Sequence, residues 1–255
     1  MIKIVSCGLG KTGLRVAQLA QEDNEIKVIA GVRQKPDKEK TSFPVFSPKK
    51  LNTAIQGADV FVDFSNTKAS MQNLPIAAKA GLNLVIGTTG FTTSQIEQIE
   101  KTVKKHKVSA VMAPNFSVGV NLFFKFAKNL AKALKDYDAE IIEAHHNEKK
   151  DAPSGTAIRV AKIIGNAMNI KEENILCGRE GLTGARGNEI RIHSIRAGDI
   201  VGEHEVLFAA NHEQIKLSHT AQSRDCFAKG AVRAIKWVAN KKDGKIHSMN
   251  DVLEI

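Results

Sequence analysis

The sequence predicts an α/β protein with an N-terminal domain built on a parallel sheet and a central α+β domain with a mixed sheet. Three observations carry this. In the first half, short apolar runs alternate with segments whose apolar residues recur at helical spacing. From Glu189 to Ser223, β-like runs follow one another with no helix between them. The amphipathic segment from Cys226 then reads as a helix returning to the first domain. The expected boundaries are 1–117 with 226–255 for the first domain and 118–225 for the second.

Taken in order, "IKIVS" (Ile2–Ser6) is a short buried strand, and "GLRVAQLAQED" has helical spacing. "EIKVIAGV" is the next strand, followed by a polar, proline-containing stretch from Arg33 to Lys50. "ADVFVDFS", "NLVIGTTG" and "VSAVMAPNFS" are three more apolar runs, each ending in small or polar residues. "TTSQIEQIEKTVKKH" is the clearest helix between them. Repeated β-then-α calls for a parallel sheet covered on both faces. After Ser117 come the helix "NLFFKFAKNLAKALK", the strand "DAEIIEAHH" and the helix "TAIRVAKIIGNAM". The runs "EIRIHSIRAG", "GEHEVLFAA" and "EQIKLSHTAQS" follow. The closing helix carries Phe227, Val232, Ile235 and Val238 among its apolar positions.

The composition, 42% hydrophobic and 25% charged over 255 residues, is that of an ordinary globular protein. No apolar run approaches the ~20 residues that cross a bilayer. The start, "MIKIVSCGLGKTG", lacks the layout of a signal peptide. Three scattered cysteines without metal spacing point to a reducing cytoplasm. The net charge of +10 is dispersed rather than set beside an aromatic platform, which favours a small anionic ligand over nucleic acid or a membrane.

"GLGKTG" (Gly8–Gly13) matches G-x-G-x-x-G directly after a strand and before a helix, the context in which glycines let a pyrophosphate approach backbone amides. Dinucleotide folds that prefer NADH place an acid roughly 20 residues further on. Val32 stands there, with Arg33 and Lys35 following, so NADPH is expected over NADH. Gly87–Gly90 and Ala113–Ser117 end two other strands, where ligands of open α/β sheets bind. An ordinary strand-end turn and helix cap would use Thr88 and Thr89 as well.

"EAHHNEKKDAPSGTA" (Glu143–Ala157) reads as strand, loop and helix. Asp151 or Ser154 can cap the helix, and Gly155 leaves its first amides uncovered. His145 or His146 can donate a proton near neutral pH, and Lys149 and Lys150 supply positive charge for a carboxylate. Adjacent histidines on a strand point to opposite faces, and there is no H-x-x-x-H, so no metal is expected.

Together with "GTTGF", "APNFSVGVN" and "IRAGDIVGEHEVLF", this stretch resembles the 4-hydroxy-tetrahydrodipicolinate reductase (dihydrodipicolinate reductase) family nearly end to end. The motif E-x-H-H-x-x-K-x-D-A-P-S-G-T is highly specific. The resemblance implies a Rossmann-like N-terminal domain completed by the C-terminal helix. It also implies a central domain that binds a small dicarboxylate and builds a homotetramer, and NADPH or NADH as cofactor. The reaction implied is reduction of 4-hydroxy-tetrahydrodipicolinate to tetrahydrodipicolinate in diaminopimelate and lysine biosynthesis. By position, His145 is similar to the family's catalytic proton donor and acceptor, and Lys149 to its second proton donor. His146, Ser154, Gly155, Thr156 and Arg224 correspond to substrate contacts. The nucleotide positions fall on Cys7, Gly8, Leu9, Gly10, Lys11, Thr12 and Gly13, on Arg33, on Gly87, Thr88 and Thr89, and on Ala113, Pro114, Asn115 and Phe116.

The loop departs from the family's usual G-x-x-G-R-M-G, with Cys7, Lys11 and Thr12 in place of Gly, Arg and Met. Two other readings share the glycine loop. One is a different Rossmann oxidoreductase acting on an amino-acid-derived imine, such as an aspartate dehydrogenase. The other is a non-enzymatic NADP(H)-sensing or nucleic-acid-binding protein.

Overall fold

A computed structural model describes residues 1–35 and 41–255, so part of the polar stretch Arg33–Lys50 lies outside the described residues. The chain divides into two compact units, Met1–Val118 with Asp225–Ile255, and Gly119–Arg224.

The first unit holds a seven-stranded parallel sheet. Its strands are β1 (Ile2–Cys7), β2 (Ile26–Val32), β3 (Val45–Phe46), β4 (Val60–Asp63), β5 (Asn83–Ile86), β6 (Ala110–Met112) and β12 (Ile246–His247). Their spatial order, β12-β6-β5-β4-β1-β2-β3, reverses direction at β1, and such a reversal opens a crevice beyond the strand ends. The inner strands are apolar throughout because both faces are covered: all four residues of β4 and of β5 are buried. Helices α1 (Lys11–Glu22), α7 (Asp225–Val238) and α8 (Met249–Leu253) share one core, with Val16, Ala20, Ile235 and Val238 in it. Helices α2 (Leu51–Ala54), α3 (Thr67–Lys79) and α4 (Thr93–His106) share the other, around Leu74, Ala77, Ile99 and Val103.

Two devices hold α7 in place. A Cβ on Gly230 would lie 1.8 Å from the Phe116 carbonyl oxygen, so α7 rests backbone to backbone on the segment after β6. The Asn83 amide donates to the carbonyls of Val238, Ala239 and Lys241 at 2.7, 3.0 and 2.8 Å and accepts the Ser109 N–H, which satisfies the carbonyls at the helix end.

The second unit is α+β. Its mixed five-stranded sheet runs β11-β10-β7-β9-β8. These strands are β7 (Asp138–His145), β8 (Ile175–Cys177), β9 (Ile190–Arg196), β10 (Gly202–Ala210) and β11 (Glu213–Ala221). β7 pairs antiparallel to β10 and parallel to β9. Helices α5 (Val118–Ala133) and α6 (Gly155–Met168) pack with it around Ile141, Val160, Ile164, Ile190 and Phe208. Alternation along β10 buries Gly202, His204, Val206 and Phe208 on one face, which places a histidine in line with core residues. The two- and three-residue strands β3, β8 and β12 and the short helix α8 were not among the predicted elements, being too short to show a period.

Candidate active site

In the first unit the glycine loop joins β1 to α1. Gly8 has φ +83°, and a Cβ there would lie 2.4 Å from the Phe64 carbonyl oxygen. A Cβ on Gly13 would lie 2.1 Å from the Gly8 carbonyl oxygen, so both positions require glycine. Gly10 differs: nothing lies within 4 Å of its would-be Cβ, and it faces open space. Gly10 is also the N-cap of α1, and no side chain caps the helix. The first-turn amides therefore look into a cavity of 620 Å³, lined by Gly10 to Gly13, Gly87 to Gly90, Pro114 to Phe116 and the end of β4. An adjoining cavity of 430 Å³ shares Gly10, Phe64, Ser65 and Asn66 and adds Val32, Arg33, Gln34, Lys35 and Pro48. Uncapped amides over an open glycine, with Lys11 beside them and Arg33 and Lys35 in the adjoining cavity, fit a phosphate-bearing dinucleotide.

Beneath these cavities stands Asp63, wholly buried at the end of β4. It accepts the Ser65 N–H at 3.2 Å, the Ser65 hydroxyl at 2.6 Å, the Thr88 hydroxyl at 3.1 Å and the Ser70 hydroxyl. Burial raises its pKa against the pull of these neutral donors. Thr88 also accepts the Ser65 N–H at 3.0 Å, so its hydroxyl is engaged on both sides. Cys7, the last residue of β1, is buried against the Asn73 amide at 3.4 Å. Burial, then the Asp63 charge, pushes its thiol up to about 12.

In the second unit, β7 carries Glu143 and His145 on one face, two residues apart. Glu143 is 1% exposed. Its Oε2 lies 2.5 Å from His145 Nδ1 and 3.0 Å from an Arg196 nitrogen. Its Oε1 accepts from Arg196 at 2.8 Å and from the Ser154 N–H at 3.1 Å. Burial alone would raise this carboxyl, but the bonds from Arg196, Ser194, His145 and the Ser154 amide together hold it at about 2. An ionised carboxylate only accepts, so the hydrogen of neutral His145 sits on Nδ1 and Nε2 is the atom free to exchange protons. Burial lowers the His145 pKa, and Glu143 opposes it. Nε2 lies over Gly202, where a Cβ would stand 3.1 Å from it.

The loop from Asn147 to Ser154 is held to this pair. Arg196 donates to the Asp151 carbonyl at 2.5 Å, and Asn147 N–H donates to the Gly198 carbonyl at 3.1 Å. Lys149 Nζ lies 2.7 and 2.9 Å from the two oxygens of Asp151. Ser154, rather than Asp151, caps α6 through the Ala157 N–H. Gly155 follows with open space where a Cβ would be, and Thr156 is half-buried in the first turn.

Of the residues singled out in the sequence, Gly10 to Gly13, Gly87 to Thr89 and Pro114 to Phe116 border one cavity. Cys7 to Leu9 and Arg33 border the adjoining one. Ala113 is packed in the core and offers that region only its backbone. His145, Lys149 and Ser154 share one hydrogen-bonded loop with Glu143 and Arg196, and half-buried His146 opens the turn at its start. Arg224 is exposed after β11 and is not part of that network. Sequence reasoning passed over Phe64, Ser65 and Asn66, although the rule applied to β5 and β6 also covers the end of β4. It likewise gave no role to Glu143, Arg196, Gly202 or His204. The i, i+2 spacing of Glu143 and His145 on a strand was a usable signal, whereas Arg196, although it lies in "IRAGDIVGEHEVLF", has no spacing that ties it to Glu143. Among the described residues there is no group of three or more His, Cys, Asp or Glu able to hold a metal, and no helix long and apolar enough to cross a membrane.

Architecture and site together define a nicotinamide-dependent reductase of two units. Comparison with known proteins narrows the class. The family model described as "Dihydrodipicolinate reductase, N-terminus" matches residues 2–116, and "Dihydrodipicolinate reductase, C-terminus" matches residues 119–253. The chain belongs to the dihydrodipicolinate reductase family. It is 55% identical over 207 residues to a 4-hydroxy-tetrahydrodipicolinate reductase of Methanosarcina acetivorans, covering 80% of this chain and 77% of that protein. To the protein of that name from Methanocaldococcus jannaschii it is 44% identical over 269 residues, covering 99% and 97%. Among solved structures, the dipicolinate-bound dihydrodipicolinate reductase from Paenisporosarcina sp. TG-14 matches with a TM-score of 0.81 at 28% identity, over 97% of each chain.

Proposed function

We propose that this chain reduces 4-hydroxy-tetrahydrodipicolinate to tetrahydrodipicolinate in diaminopimelate and lysine biosynthesis, using NADPH in preference to NADH. The observation that supports the chemistry most directly is the Glu143–His145 contact of 2.5 Å, which leaves one defined ring nitrogen for proton transfer. NADPH, when bound, supplies the hydride.

The chain's own residues do the rest. Backbone amides of Lys11, Thr12 and Gly13 meet the pyrophosphate over Gly10. Arg33 and Lys35 meet the 2′-phosphate in the cavity where Val32 offers no carboxylate. The 4-hydroxyl leaves as water, which forms a C=C conjugated with the ring imine; hydride adds to one of its carbons, and His145 gives its proton from Nε2 to the carbon next to it. Glu143, ionised throughout, holds the opposite nitrogen and stabilises the imidazolium before transfer. The two carboxylates of the substrate add negative charge near the ring and offset the burial that lowers its pKa. Lys149 has three donors and Asp151 engages two, which leaves one for a substrate carboxylate or for proton transfer. His146, in the turn after β7, Ser154, Gly155 and Thr156, at the start of α6, and Arg224 bind the substrate's carboxylates. We place a homotetramer on the sheet of the second unit, where Ile195 is 48% exposed.

Oxidation of NADPH, with substrate generated in situ from pyruvate and aspartate semialdehyde, tests the reading. Wild type turns over. His145→Gln lowers kcat by about 10²–10⁴-fold, as loss of a general acid does, and leaves NADPH affinity unchanged. Equal damage to both removes the assigned role. For the cofactor preference, Arg33→Ala weakens NADPH roughly tenfold and NADH little, by loss of a charge-assisted contact. An unaltered NADPH-to-NADH ratio refutes it.

A further inference from the structure

One ring in the second unit has no part in this reading. His204, on β10, is 6% exposed, and its Nε2 lies 3.0 Å from Ser154 Oγ. Its Nδ1 is buried and has no hydrogen-bond partner among the described residues. The ring stands edge-on to His145, with centroids 5.2 Å apart and planes at 76°, and Phe123 flanks it at 6.4 Å.

Where its hydrogen sits follows from the bonds around it. Burial, then the neighbouring His145, lowers its pKa to about 4, so the ring is neutral near pH 7 and carries a single N–H. The contact with Ser154 Oγ can be made with either group donating. Buried N–H groups without a partner are rare, and a hydrogen on Nε2, donated to Ser154 Oγ, keeps the unpartnered Nδ1 from being one. That oxygen also accepts the Ala157 N–H at 3.2 Å. With both lone pairs engaged, the hydroxyl's own hydrogen must be given to a third group.

We propose that His204 is a positioning residue: by donating to Ser154 Oγ it commits the Ser154 hydroxyl hydrogen to an anionic oxygen of the substrate. The inference rests on the reading of Ser154 as a substrate contact. Without the ring's N–H, the hydroxyl is free to rotate and to spend its hydrogen elsewhere. His204 touches neither substrate nor cofactor in this scheme and acts only through Ser154.

The probe is dipicolinate, a planar di-acid, titrated calorimetrically into the full chain saturated with NADPH. His204→Phe keeps an aromatic ring and removes the donor, and His204→Gln restores an N–H on the same reach. The expected result is that His204→Phe weakens dipicolinate and raises the substrate KM by roughly tenfold, the scale of a lost hydrogen bond to a charged group, while NADPH affinity holds. His204→Gln recovers most of this. In a Ser154→Ala background, His204→Phe brings no further loss. Nitrogen chemical shifts of wild-type His204 show the neutral Nε2–H tautomer and do not depend on any variant folding. Wild-type dipicolinate affinity in His204→Phe, undiminished loss in the Ser154→Ala background, or an Nδ1–H tautomer each overturns the proposal while leaving the reductase reading intact. A wild type that neither binds dipicolinate nor turns over sinks the reductase reading and the proposal with it.

Discussion

Asp63 and Glu143 are both acids taken almost wholly out of water, at 0% and 1% exposure, and their pKa values move in opposite directions. Asp63 is met only by hydroxyls and one amide, and burial wins. Glu143 is met by a guanidinium fork and an imidazole as well as an amide, and the charged form wins. The difference matches the role proposed for each region. In the first unit the acid is a scaffold: it orders Ser65, Ser70 and Thr88 beside a cavity that suits a polyanion. In the second unit the acid is held ionised behind Nδ1 of His145, which leaves Nε2 as the ring nitrogen open to proton exchange.

The sharpest way to break this contrast is to remove one donor from each acid. Arg196→Met strips the fork from Glu143 and leaves a buried carboxylate without its cation. It is expected to cost roughly 3–5 kcal/mol of stability in urea unfolding. Arg196→Lys recovers little of this, since an ammonium cannot bond both oxygens in one plane. Thr88→Val, which removes one neutral donor from Asp63, is expected to cost only about 1 kcal/mol. Equal costs would mean that the two acids are held in the same way.

Acid titration separates them further. Glu143 is depressed, so its contribution is present above its ordinary value of 4.5 and is lost as pH falls toward about 2. Asp63 is raised, so its contribution is present below 3.8 and is lost as pH rises through its folded value. The single tryptophan, Trp237, lies in the first unit and the single tyrosine, Tyr137, in the second. Tyrosine signals should therefore report loss of structure earlier on acidification than tryptophan fluorescence, and Glu143→Gln should flatten the tyrosine transition alone. Coincident transitions unaffected by that substitution would contradict the assignment.

The smallest expected effect concerns geometry. Gly202→Ala places a methyl 3.1 Å from His145 Nε2, and the ring must yield by a few tenths of an ångström. Turnover should fall by about 3–10-fold through misplacement of the exchanging atom, with stability within ~1 kcal/mol of wild type. An unchanged kcat would show that the ring tolerates the shift.

Both sites were legible in the sequence to different depths. The first is made of backbone, and backbone geometry writes itself as glycine spacing, so Gly8 and Gly13 stood out before any coordinates. Their separate duties did not, because only the fold shows that Phe64 crowds Gly8 while Gly10 faces open space. The second is made of side chains from β7, β9 and β10 and the loop before α6. His145 and Lys149 were visible in one dense motif, whereas Arg196 and His204 arrive through strand pairing across some fifty residues. Both lie in "IRAGDIVGEHEVLF", but which residues of β7 they face is a matter of long-range register and cannot be read from that stretch. The short strands β3, β8 and β12 were missed for a simpler reason: a period needs more residues than they have.

The sheet of the first unit is finished by a segment that follows the whole second unit in the chain. Everything from Gly119 to Arg224 is contiguous, while α7 and β12 lie beyond it. During synthesis, the apolar layer around Val16, Ala20 and Val62 must wait, uncovered, until the helix gripped by Asn83 leaves the ribosome. A chain stopped at Arg224 would carry an intact contiguous unit alongside a sticky, half-roofed nucleotide lobe, and that lobe is where chaperones should be found bound.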